Sequence, residues 1–121
     1  AATAEKVAEH ANEHIRSGAG FSRWKSKPFT ALAMYSQMID AFGWQAFKQV
    51  FAEYRALAKS ERPKSDGEKR DQWLVRFSRT AGRDLGPFFE VWGVPVSPEA
   101  RKEVATLPAW MPAGFPAPAA N

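Results

Sequence analysis

His10-Ala11-Asn12-Glu13-His14 is the stretch whose residue types and spacing come nearest to a catalytic metal site. It spells H-x-x-E-H, the reverse of the H-E-x-x-H zinc motif. On a helix the two imidazoles stand one turn apart on one face, the separation a zinc ion needs. Glu13 would serve as base, and Glu90 lies far enough downstream to be imagined as a third ligand. The surroundings argue for a blander role. A zinc helix is flanked by apolar residues that hold its ligands and exclude water. Here the flanks are rich in Ala, Glu and Lys, and the apolar stripe is only Val7, Ala11 and Ile15. The sequence therefore predicts two solvent-facing histidines, with His10, Glu13 and His14 as the metal candidates of last resort.

Other catalytic patterns are absent from the sequence. It has no H-E-x-x-H, no G-x-S-x-G elbow and no Gly-rich phosphate loop. With no Cys and two His, a nucleophilic triad would have to use His10 or His14. Glu53, Asp84 and Glu90 sit in mixed-charge settings and read as surface salt-bridge partners. No catalytic residue is assigned. Among the aromatics, Trp44, Phe47, Phe51 and Tyr54 form a stripe that reads as core packing, with a ligand groove as the alternative. Trp24, Trp92 and Trp110 lie at or near helix ends or loops. They are the candidate binding or interface residues, as a sugar-stacking platform or as wedges against a neighbouring domain.

The elements that would position these residues are helical. Thr3 caps a first helix over 4–17, stopped by Gly18 and Gly20. Pro28 opens a second, in which Leu32, Tyr35, Ile39 and Phe42 recur at helical spacing up to Gly43. Trp44, Phe47, Val50, Phe51, Tyr54 and Leu57 mark a third, the best amphipathic pattern in the chain. A polar loop with Pro63 leads to a helix over 67–81, capped by Asp66, with Trp73, Leu74 and Phe77 facing the core. A short helix spans 87–92, and Ser97-Pro98 starts another to about Thr106. From Leu107 onward four Pro forbid helix and sheet, so the tail is extended. The fold class is all-α: a compact bundle of five or six helices with an aromatic core and a Pro-rich extended C-terminal tail. The domain reading is a single helical unit over 1–110 and a Pro/Ala-rich tail over 111–121.

Composition agrees. The chain has 121 residues, 45% of them hydrophobic, with nine Phe and five Trp. That is enough apolar surface for one core and too little chain for two domains. The net charge is +4. The densest basic stretch mixes Lys59, Arg62, Lys64, Lys69 and Arg70 with Glu61, Asp66 and Glu68, so nucleic-acid binding is not expected. No apolar run approaches the ~18 residues of a membrane span. The opening residues Ala1 to Lys6 lack an apolar signal core, and the chain reads as part of a longer polypeptide.

Several of these pieces, in order, resemble a known family. They are Ala31 to Met38, Phe42 to Phe47, Val50 to Tyr54, Trp73 to Ser78, Asp84 to Ser97 and Leu107 to Trp110. Together they are similar to the helical part that follows the active site in the enhancin-like (M-sixty) zinc metallopeptidases. The resemblance implies a gluzincin whose H-E-x-x-H helix and downstream Glu hold zinc. Zinc is thus expected for the full-length family enzyme and no cofactor for this chain. It also implies a secreted or cell-surface protein acting on mucin-type glycoproteins, with the catalytic portion of the same protein as this segment's partner. The ligand helices of the family precede this segment, so no catalytic residue carries over to any position here. The alternative is a stand-alone helical module that binds protein or glycan through exposed aromatics.

Overall fold

The computed structural model describes residues 9, 11–14, 20, 21 and 28–116. Most of the expected first helix, with His10, lies outside the described residues, as does Trp24; within them, 11–14 are helical.

Helix α1 runs Pro28–Phe42 and α2 runs Trp44–Ala56. A single residue, Gly43, turns the corner. Its φ of 83° is a left-handed conformation that a side chain would oppose, and its N–H donates to the Ile39 carbonyl at 2.7 Å. The faces these helices bury differ from the expected stripes. On α1 the buried apolar residues are Ala33, Met34 and Met38, whereas Leu32 is 54% exposed. On α2 Ala46, Phe47 and Val50 are buried, whereas Trp44 is 62% and Phe51 48% exposed. Spacing defines a stripe, but the width that neighbours cover depends on which helices pack there.

A short 3₁₀ turn, Lys59–Glu61, interrupts the expected loop. Helix α3 then spans Asp66–Ala81, and its cap is Ser65 rather than Asp66. The Ser65 hydroxyl accepts from the Glu68 N–H at 3.1 Å, and the Glu68 carboxylate accepts from the Lys64 N–H at 2.7 Å. Asp66 becomes the first helical residue, where its charge still favours the helix N-terminus.

Helix α4 spans Gly86–Trp92. Gly86, Phe88, Phe89 and Trp92 are all buried, so the helix is surrounded on most sides. It ends on Gly93 (φ 77°), whose N–H donates to the Glu90 carbonyl at 3.0 Å, while the Val94 N–H closes back to the Phe89 carbonyl at 3.0 Å. Helix α5, Pro98–Val104, starts on Ser97, whose hydroxyl accepts from the Ala100 N–H at 3.1 Å. The Ser97 N–H donates to the Asp71 carboxylate at 2.8 Å, tying α5 to α3.

The Pro-rich tail wraps the bundle through residue 116. The Asp84 N–H donates to the Pro108 carbonyl at 2.8 Å, and the Trp110 N–H donates to the Asp84 carbonyl at 3.1 Å. This parallel bridge is the β-pairing found among the described residues. Met111 and Phe115 pack onto the core beyond it, and the Phe115 ring stacks on Trp92 at 5.6 Å between centroids. The architecture is an all-α bundle around an aromatic cluster.

Candidate functional site

Of the H-x-x-E-H stretch, His10 lies outside the described residues, and Ala11 to His14 are helical. His14 is fully buried, not solvent-facing. Its Nε2 donates to the Trp92 carbonyl at 2.6 Å, and its ring stacks on the Trp92 indole at 5.3 Å. Glu13 is exposed. A nitrogen that carries a proton for a backbone carbonyl has no lone pair for a metal. Among the described residues no group of three or more His, Asp or Glu side chains converges. In this arrangement the Nε2 of His14 is committed to the Trp92 carbonyl rather than to a metal. His14 serves instead to bind the N-terminal segment to the end of α4.

The tryptophan candidates divide. Trp92, expected near the surface, is fully buried, and its indole Nε1 donates to Gln37 at 3.0 Å. It lies at a helix end in sequence, but the tail and the N-terminal segment cover it. Trp110 is half-buried between Phe42 and Phe88, at 4.7 and 4.8 Å. Neither forms an open platform. The carboxylates divide too. Glu53 pairs with Arg76 at 3.0 Å and Glu90 with Arg101 at 3.1 Å, as expected. Asp84 is buried instead, and its carboxylate accepts the Gly86 N–H at 2.8 Å to start α4.

The surface feature that does stand out is an apolar groove of about 510 Å³ across α1, α2 and α3. Its buried lining is Met34, Phe47, Phe89 and Val94. Leu32, Trp44 and Phe51 line it with large, exposed apolar side chains, and Tyr35, Ile39 and Trp73 complete the lining half-buried. The aromatic rings brace one another. Phe47 contacts Tyr35, Trp44, Phe51, Trp73 and Phe77 at centroid distances from 4.9 to 6.3 Å. Such pairs contribute roughly 0.5–1.5 kcal/mol each beyond burial, so the lining is stiff. Burial pushes the Tyr35 phenol above its ordinary pKa, which keeps it neutral. Trp73 buries its indole Nε1 without an acceptor among the described residues.

Two charged residues belong to this lining, Lys69 and Arg70 on α3, and both are cationic. The Arg70 Nε donates to the Pro95 carbonyl at 2.9 Å, and its guanidinium lies over the Phe21 ring at 4.8 Å. A groove was legible in the sequence only as the alternative reading of the Trp44, Phe47, Phe51 and Tyr54 stripe, whose expected role was core packing. Its cationic edge was not, because nothing in the helical period relates Lys69 and Arg70 to α2.

Residues 1–93 match the family described as Peptidase M60, enhancin and enhancin-like. The chain belongs to this family. Curated relatives of this enhancin-like chain include a mouse protein, TRPM8 channel-associated factor 3, 42% identical over 97 residues. That match covers 80% of this chain and 10% of the relative. The human TRPM8 channel-associated factor 2 is 40% identical over the same length and coverage. A crystal structure of a functionally unknown conserved protein from Bacillus anthracis str. Ames superimposes with a TM-score of 0.72 at 31% identity. It covers 88% of this chain and 22% of that one. The enhancin-like chain thus spans about a tenth of the length of the curated relatives it matches and about a fifth of the solved one.

Proposed function

We propose that this chain is a non-catalytic helical unit of a secreted or cell-surface enhancin-like protein. It supports a zinc-bearing gluzincin part that acts on mucin-type glycoproteins. The observation that carries the reading is the groove. A stiff aromatic unit with Leu32, Trp44 and Phe51 between 48% and 62% exposed has the surface expected of a face meant to be covered. A catalytic zinc helix needs rigid backing, to within about half an ångström, and a braced Phe/Trp block supplies it. A second reading is favoured by the relatives' names, which speak of association with a channel rather than of hydrolysis. On that reading the same groove is a protein-docking face.

The test assays the purified chain for zinc content, for cleavage of an O-glycosylated mucin peptide, and for association with the zinc-bearing part of an enhancin-like enzyme. The expected result is no zinc and no cleavage by the chain alone, with association that Trp44→Ser weakens. Stoichiometric zinc with cleavage by the chain alone would overturn the proposal. Failure to associate would leave the stand-alone binding module in its place.

A further inference from the structure

We propose that the groove receives an amphipathic helix whose apolar face is flanked by carboxylates. This rests on the reading that another polypeptide covers the groove, and it specifies what that polypeptide presents.

Three observations choose the occupant. A small-molecule site buries roughly 70–90% of its ligand's surface. This groove keeps its largest apolar side chains about half exposed, so it suits the flank of a polypeptide better than an enclosed molecule. Second, α1, α2 and α3 all contribute to it, with exposed Leu32, Trp44 and Phe51 beside buried Met34 and Phe47. A helix laid into a groove of this kind would present anchors at its i, i+4 and i+7 positions. Third, the charged lining is cationic. Arg70 is held in place by Pro95 and Phe21. Lys69 meets Asp66 at 3.7 Å with both side chains largely exposed, a weak pair that a new carboxylate can displace. A second copy of the chain is a poor occupant. Two-fold pairing through this groove would turn Lys69 and Arg70 of each molecule toward those of the other, on a protein already carrying +4.

The test uses the whole chain and two helix-forming peptides of about four turns. Both carry leucine at i, i+4 and i+7, and they differ only in flanking glutamate or lysine. Binding is followed by amide chemical-shift mapping at low ionic strength. The expected result is at least about tenfold tighter binding of the glutamate peptide, a gap that narrows as salt shortens the Debye length. Shifts should centre on α1, α2 and α3. Trp44→Ser, at an exposed position, should weaken both peptides and lower the melting temperature only by the few degrees that one lost ring contact costs, whereas Lys69→Glu should narrow the gap between them. Equal affinity, preference for the lysine peptide, binding to neither, or shifts elsewhere would each overturn the proposal. So would concentration-dependent dimerisation lost in Trp44→Ser, which would give the groove to a second copy. Neither peptide involves a zinc-bearing part, so the outcome is independent of whether the chain supports a peptidase.

Discussion

His14 shows how far a residue's role depends on its neighbours. By spacing it is half of a metal pair; by position it is a buried hydrogen-bond donor to Trp92, stacked on that indole. Removing it leaves the Trp92 carbonyl without this partner and opens a cavity in the core. His14→Ala should therefore lower the free energy of unfolding by about 2–4 kcal/mol, read by urea denaturation. If the variant instead kept its stability and lost bound zinc, the metal reading of H-x-x-E-H would return. Trp92 makes the same point. It lies at a helix end in sequence, yet it is walled in by His14 and Phe115.

Among the elements, helix boundaries were the most legible feature, because caps are local chemistry. Ser97-Pro98 starts α5 as expected, and Gly43, Gly82 and Gly93 follow α1, α3 and α4. The start of α3 shows the limit. Ser65 and Asp66 are both good caps, and the backbone at Ser65, extended at φ −136°, decides between them. Ser65→Ala should cost about 1 kcal/mol in the unfolding free energy. Asp66→Ala, which loses only a charge near the helix end, should cost less. Equal losses measured by thermal melts would return the cap to Asp66. The buried faces of α1 and α2 were less legible. Periodicity placed Leu32, Trp44 and Phe51 on an apolar stripe, but no helix among the described residues covers that side.

Across the whole molecule, the tail belongs to the core as much as the helices do. Pro density correctly predicts an extended path. It does not predict that the path returns along Asp84 and sets Phe115 on Trp92. Cutting the chain after Trp110 removes Met111 and Phe115 from the packed cluster. Burial of that size is worth roughly 1–3 kcal/mol per side chain. The truncated chain should then melt about 5–15 °C lower by circular dichroism. An unchanged melting temperature would show that the boundary between unit and tail lies at Trp110. The groove also belongs to this scale, because α1, α2, α3 and, through Phe89, α4 line it together while Leu32, Trp44 and Phe51 stay exposed.

Local order and composition alone determined the all-α class, most helix ends and the aromatic core, and the ordered pieces from Ala31 onward resembled the enhancin-like family that matches residues 1–93. Those features depend on neighbours a few residues apart, where capping and the 3.6-residue period act. Tertiary structure decided that His14 and Asp84 are buried, that Trp92 is interior and that Lys69 and Arg70 edge an apolar groove. Those outcomes depend on which surfaces meet across the fold. His14 and Trp92 are 78 residues apart in the chain, and no local pattern encodes their 2.6 Å contact.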